Sequence, residues 1–385
     1  MQKERMVENL IEMIKIYSPS KKEGEFAKYL VKELEKLGAK LYLDEGFKKY
    51  NGNSPTIIAK IKGNLEGEGV TLAAHLDVVE PCENITPILE NGILRTDGTT
   101  TLGGDDKAGI ASIIETIKVL KEENRSHKDI FIVLTPCEEQ GMLGAKNISW
   151  NLIPKDMIPA KNMIVVDNAG RAGLIAHTAP SKYDVVIKFK GKKAHAGIEP
   201  EKGINAINLA ALAISKMKMG RIDELTTSNI GVINSNFPTN VVADECIVKA
   251  EVRSHSEEKI LEVIEEYKDC CDEAVNIMQG EYEICYECDY PTLKPKDNLK
   301  FAKEFSEIYE GLGVKSELKV IGGGSDSNIF AKNGYNSIII GVGMYDVHTV
   351  NETLELEELY KTTKALINYI CLLYTSDAAD DGESV

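Results

Sequence analysis

Four short runs, Thr56–Ile61, Val70–Ala74, Ile130–Leu134 and Met163–Val166, are apolar without alternating. A strand with one wet face alternates, so continuous runs of this length read as strands buried on both faces of a sheet. Such a sheet needs helices on both sides. Met6, Leu10, Ile14 and Tyr17 mark an apolar stripe over Lys3 to Tyr17, and Phe26, Leu30, Leu34 and Leu37 mark a second over Lys22 to Leu37. A third helical stretch, Lys107–Leu120, lies between two of the runs. The expectation is an α/β domain in three layers.

From about Ser181 the pattern changes. Tyr183–Lys190 alternates like a half-exposed strand, a helix follows from Gly203 to Met217, and further alternating runs lie near Ser228–Asn234 and Glu245–Arg253. A helix at Glu257–Met278 and a strand near Tyr282–Tyr286 complete a βαββαβ order, which predicts a ferredoxin-like two-layer sandwich. After Pro291 the buried style returns, with a helix at Leu299–Gly311, a strand at Ser337–Gly341 and a helix near Leu356–Ile370. The expected organisation is a first domain over 1–180 and 292–370, with a second inserted at 181–291.

The segment 371–385 is set apart. Cys371-Leu-Leu-Tyr-Thr-Ser-Asp-Ala-Ala-Asp380 matches the in-frame translation of a transposase adapter used in sequencing libraries, so it reads as read-through rather than protein. Without its acids Asp377, Asp380, Asp381 and Glu383 the chain remains acidic, from a formal charge of −16. That charge argues against binding a phosphate backbone. No run approaches the length of a membrane span, and the charged, helical start lacks a signal-peptide core. The expected compartment is the cytoplasm. The 8 cysteines are scattered; Cys285-Tyr-Glu-Cys288, without a second pair, is weak ground for a metal or redox site.

Polar residues gather where the buried runs end. Leu72-Ala-Ala-His75-Leu-Asp77 closes one run, and in an extended chain both polar side chains point the same way, so Asp77 is placed to orient the His75 ring. Gly103-Gly-Asp105-Asp106-Lys107-Ala-Gly109 is a glycine-rich turn into a helix, whose carboxylates suit an ion and repel a phosphate. It also lacks the spacing of a phosphate loop. Cys137-Glu138-Glu139 follows the run Ile130–Leu134, where one carboxylate can bind metal and its neighbour can carry protons. Val166-Asp167 ends another run, and Gly322-Gly-Gly-Ser325-Asp326 and Asp346-Val-His348-Thr-Val-Asn-Glu352 lie late in the chain. Each alone has an ordinary reading as a strand-end histidine, a loop Glu pair or a tight turn.

Their joint order resembles the co-catalytic zinc exopeptidase family, which includes peptidase T, glutamate carboxypeptidase, succinyl-diaminopimelate desuccinylase and the aminoacylases. The resemblance spans residues 1–370, and Gly103–Gly109 with Cys137–Gly141 is nearest to the peptidase T form. It implies a zinc exopeptidase-like catalytic domain with an inserted lid and dimerisation domain. It implies two Zn2+ ions, with Co2+ or Mn2+ as substitutes, held by His75 and Asp167 on one side and Glu139 and His348 on the other, with Asp105 bridging and the Asp105–Asp106 peptide cis. Glu138 would be the general base, Asp77 would orient His75, and His195, in Lys193-Ala-His195-Ala-Gly197, would reach the other subunit's site and stabilise the oxyanion. Asn240, Arg253, Gly323 and Ser325 would bind substrate. Asp167-Asn168 and Val347-His348-Thr349 depart from peptidase T, which bears on peptide preference and not on hydrolysis. The implied activity is that of an aminotripeptidase on short peptides, in a homodimer built through 181–291. The competing readings are an amidohydrolase of N-acyl amino acids or dipeptides, a relative that binds peptide without turnover, and a nucleotide-binding α/β protein built on Gly103–Gly104 or Gly322–Gly324.

Overall fold

A computed structural model describes residues 1–372 and divides them into two compact units. The adapter-like segment lies outside the described residues apart from Cys371 and Leu372, which end the helix Leu356–Leu372. The second unit, Ala179–Leu293 with Ile321–Gly324, interrupts the first in sequence.

The first unit is built on an 8-stranded mixed sheet. Its middle is three parallel neighbours: Val70–His75 lies between Ile130–Thr135 and Asn162–Asn168. Val70–His75 and Ile130–Thr135 are buried at every position, so both faces are covered. Each Val, Leu or Ile so enclosed contributes ~1.5–3 kcal/mol relative to exposure, which makes this the rigid floor of the unit. Helices Lys3–Ile14, Gly24–Lys36, Gly104–Glu122 and Leu356–Leu372 bring Met6, Leu10, Phe26, Leu30, Ile110, Ile114 and Leu366 into one core with Leu72, Ile132 and Ile164. Gly109 explains how close one helix comes: a methyl there would sit 2.2 Å from the Val166 carbonyl oxygen. Edge strands Lys40–Asp44 and Glu317–Val320, the strand Leu174–Thr178 beside the latter, and a small sheet from Ile88–Glu90, Ile93–Arg95, Met344–Tyr345 and Thr353–Glu355, were not foreseen from periodicity.

The second unit is a 5-stranded antiparallel sheet in the order Gly220–Asp223, Thr226–Asn234, Glu245–Ser254, Ser181–Lys190, Glu281–Tyr290. It carries one short strand, Gly220–Asp223, beyond the expected βαββαβ order. Val185, Ile187, Phe189, Val248 and Val252 face Leu209, Ala213, Ile260, Val263 and Tyr267 of helices Ala206–Ile214 and Glu257–Met278. Asn205 caps the first of these helices by accepting from the Ile207 and Asn208 N–H groups, and Ser256 caps the second. No described helix is long and apolar enough to cross a membrane. All 8 cysteines are free, Cys285 and Cys288 among them and exposed.

Candidate metal centre

Parallel pairing decides what meets at the sheet's carboxyl edge. His75 is in register with Thr135, and the pairing Ala73 with Val165, continued two residues, brings His75 level with Asp167. The strand order therefore gathers His75, the Pro136–Glu139 turn and Asp167 at three adjacent strand ends, the usual place for ligands in an open α/β sheet. The helix Gly104–Glu122 starts there as well. Asp105 and Asp106 have non-helical backbone angles and the peptide between them is cis.

Asp105 faces both histidines. Its Oδ1 lies 3.0 Å from His75 Nε2 and its Oδ2 3.2 Å from His348 Nε2. Asp167 Oδ1 lies 3.6 Å from His75 Nε2, and Glu139 Oε1 lies 2.9 Å from His348 Nε2. The chain thus brings together all five residues named as ligands from the sequence: His75 and Asp167 on one side, Glu139 and His348 on the other, Asp105 between. Asp106 is also within ligand distance of His75 and Asp167. Its oxygens, however, accept the backbone N–H of His75 at 3.2 Å and of Gly109 at 3.1 Å, so it braces the site.

Whether this cluster fits cations can be judged from its own electrostatics. Glu139 Oε1 is buried and lies 2.9 Å from His348 Nε2 without a well-aligned hydrogen bond. Desolvation pushes Asp167 up to about 7 and Glu138 well above the usual carboxylate range, with neighbouring acids adding to both. Burial pushes Asp105 up too, but its contacts with His348 and His75 outweigh that and hold it below the usual range. Crowded carboxylates in a poorly solvated site are costly unless positive charge shares them. Two imidazole nitrogens and carboxylate oxygens are the donor set of catalytic zinc. The residues fit two divalent cations.

The orientation of His75 differs in detail from expectation. Its Nδ1 lies 2.9 Å from the backbone oxygen of Asp77, and the nearest carboxylate oxygen is at 3.4 Å. The Asp77 carboxylate instead accepts from Ser20 Oγ at 2.7 Å, from the Glu138 N–H at 2.9 Å and from the Glu139 N–H at 3.1 Å. It holds the Glu138–Glu139 turn. Glu23, which the sequence did not single out, accepts the N–H of Cys137, whose φ of 56° is in the left-handed region. Asp326 accepts from Thr135 Oγ1 beneath the same turn. A cavity of about 150 Å³ opens beside Glu139, lined by Pro19, Ser20, Val78, Val79, Glu80 and Gln140.

Ser325 caps the helix Asp326–Lys332: its hydroxyl accepts from Ser327 N–H and its own N–H donates to Asn328 Oδ1. Gly323, His195, Asn240 and Arg253 belong to the second unit. There His195 is exposed, pairs with Val241 in an isolated bridge, and accepts the Gly197 N–H on Nδ1 at 3.2 Å. Its ring proton is then on Nε2. Asn240, also exposed, receives the Ala196 N–H on its backbone oxygen at 2.9 Å. Arg253 donates from Nε and Nη2 to the two carboxylate oxygens of Glu251, at 2.9 and 3.1 Å.

Contacts with Asp105 and Glu139 raise His348 to about 10, and Asp167 and Asp105 overcome burial to hold His75 well above its usual value. In the metal-free chain these contacts favour the protonated form of both rings, and a ring must lose that proton to ligate. Loading with zinc should release at least about one proton per chain, read as a difference in apparent binding heat between buffers of unlike ionisation enthalpy. Affinity should rise with pH until His348 is neutral, near 10. Metal-free stability should run the other way: the His348 contribution is complete below its unfolded value of 6.5 and is lost as pH rises through about 10. Uptake without proton release would remove the imidazoles from the ligand set.

Comparison with known proteins gives an independent line. A family profile described as a peptidase dimerisation domain matches residues 182–278, and one described as peptidase family M28 matches residues 56–197. The chain is 38% identical over 366 residues to the uncharacterized protein YqjE of Bacillus subtilis strain 168, covering 95% of this chain and 97% of that one. It is 28% identical over 381 residues to peptidase T of Fusobacterium nucleatum, covering 90% of each. Among solved structures it matches the aminopeptidase PepT of Bacillus cereus ATCC 10987 with a TM-score of 0.86 and 34% identity, over 96% of this chain and 98% of that one. A tripeptidase of Staphylococcus aureus Mu50 matches with a TM-score of 0.90 and 33% identity, over 97% and 99%.

Proposed function

The chain belongs to the family of metal-dependent exopeptidases that includes peptidase T, and on that premise we propose that it is a two-zinc aminopeptidase acting on short peptides, tripeptides foremost. The observation that carries this reading is Asp105, whose two oxygens face two histidines from opposite ends of the chain at 3.0 and 3.2 Å. His75, Asp167 and Asp105 would hold one ion, and His348, Glu139 and the same Asp105 the other. Two such ions supply an acidified water and a Lewis acid for the peptide carbonyl.

The chain's own residues do the rest. Glu138 takes a proton from the attacking water and later delivers it to the departing amine nitrogen. Asp77, fastened to the Glu138 and Glu139 N–H groups, keeps base and ligand in fixed relation. His195, with its proton on Nε2, serves the developing oxyanion of the partner chain's site, and Asn240 and Arg253 receive the peptide's carboxyl end, Arg253 by exchanging Glu251 for it. The cavity beside Glu139, about 150 Å³, is well below the ~300–1,000 Å³ of pockets for drug-sized ligands. Free cysteines throughout fit a reducing cytoplasm.

The test is metal analysis joined to a panel of dipeptides, tripeptides and their N-acylated forms. Two zinc ions per chain and cleavage that requires the free amine are expected, with tripeptides preferred. Preferential hydrolysis of N-acylated substrates would replace the aminopeptidase reading with a deacylase, and two bound ions without any hydrolysis would leave a binding protein.

A further inference from the structure

We propose that Glu352 is a positioning residue that sets the bridging carboxylate Asp105 for both ions at once, an inference that rests on the two-metal reading. The turn that carries Asp105 is neither helix nor strand where it matters: Gly103 has φ 70°, and Asp105 and Asp106 depart from helical angles. Its backbone N–H groups therefore lack the partners that regular structure provides, and buried N–H groups require an acceptor. Glu352, 2% exposed, is that acceptor. Its Oε2 receives the N–H of Leu102 at 2.8 Å and of Gly103 at 2.9 Å, and its Oε1 receives the N–H of Asp105 itself at 2.9 Å. Three N–H groups on one carboxylate form a charge-assisted clamp.

The clamp also joins two distant parts of the chain. Glu352 lies four residues after His348, in a segment folded by Thr349 Oγ1 on the Asp346 carbonyl at 2.7 Å and by the Asn351 N–H on Thr349 Oγ1 at 3.1 Å. Beyond it, Leu354 pairs with Leu94 and fixes the segment to the small sheet. One segment thus presents His348 to Asp105 and holds the backbone from which Asp105 projects. Because Asp105 faces both His75 and His348, displacing it should weaken both ions, whereas a fault confined to the His348 segment should weaken one.

The experiment titrates metal-free protein with zinc by calorimetry, in the unaltered chain, Glu352→Gln and Glu352→Asp, with the unfolding temperature of each metal-free protein recorded. Glutamine keeps the shape but turns N–H groups toward N–H groups. Loss of both affinities together, by at least ~10-fold, with partial recovery in Glu352→Asp, is expected. Gly104→Ala provides a milder displacement should Glu352→Gln fail to fold: its methyl would lie 3.0 Å from Glu352 Oε1 and push the clamp without removing a polar atom. The same paired weakening, smaller, is expected there. Weakening of one ion only, or a lowered unfolding temperature with both affinities intact, overturns the proposal. An unaltered chain that takes up fewer than two ions overturns the two-metal reading instead, and this inference with it.

Discussion

Replacing Glu138 with glutamine is expected to lower kcat by at least ~10² while both ions and the fold are retained. The change leaves the backbone contact intact, because the Glu138 N–H donates to Asp77 Oδ1 whatever the side chain. Glu139, the next residue, donates its own N–H to the other oxygen of Asp77 and keeps its place. Only the capacity to accept and return a proton disappears. Burial, with Asp326, Asp167 and Glu139 nearby, makes the Glu138 carboxylate more basic than an exposed one, a property suited to a base that must reprotonate before the amine leaves. In the unaltered enzyme kcat/KM should fall as pH drops through the pKa of this carboxyl, and in Glu138→Gln that acid limb should vanish from the residual activity. Near-normal turnover by this variant would move the proton-carrying role to another residue.

Much of the centre was legible before any coordinates, for a specific reason. Runs buried on both faces read as inner strands, and three of the four pair in parallel, so the polar residues that end those three meet at one sheet edge, whereas Thr56–Ile61 runs antiparallel to them. That argument brings His75, the Glu138–Glu139 pair and Asp167 to one place, and which of them would hold metal came from the resemblance in motif order. The glycines and acids at a helix start pointed to Asp105 and Asp106 together, and the choice of Asp105, like that of His348, came from the order of motifs. The alternation that placed Asp77 beside the ring holds only within a strand, and this strand ends at His75, so the Asp77 carboxylate comes no nearer the ring than 3.4 Å. Past that point the Asp77 carbonyl oxygen comes to the imidazole at 2.9 Å, and the carboxylate, still 3.4 Å from the ring, also accepts from the Glu138–Glu139 turn.

What stayed hidden was acid acting on backbone. Glu352 meets Leu102 across 250 positions, and Glu23 meets Cys137 across 114; neither contact leaves a periodicity or a motif. Nor could spacing reveal that Ser325 caps a helix or that Arg253 is held by Glu251. Strand Gly220–Asp223 was unreadable because its residues are mostly exposed and supply no apolar pattern.

Mixing two inactive variants is expected to restore activity if the oxyanion donor comes from a partner chain. In the first unit the buried Lys107 cannot serve, since its ammonium donates to the Ile16 carbonyl at 2.6 Å and lies near that of Ile14. His195 has the right chemistry: exposed, with Nδ1 occupied by the Gly197 N–H and Nε2 left to donate. It also lies within the stretch matched as a peptidase dimerisation domain. Loss of one oxyanion donor costs ~10²–10³ in kcat, so His195→Ala alone should be nearly inactive, as should Glu138→Gln. In a heterodimer of the two, one site combines the intact Glu138 of its own chain with the intact His195 of the other. After complete exchange half the dimers are mixed and each has one good site of two, so recovery should approach about a quarter of unaltered activity. An inactive mixture, in a sample where exchange is demonstrated by differently tagged chains, would place His195 at its own chain's site, and the dimer would then have no part in the chemistry.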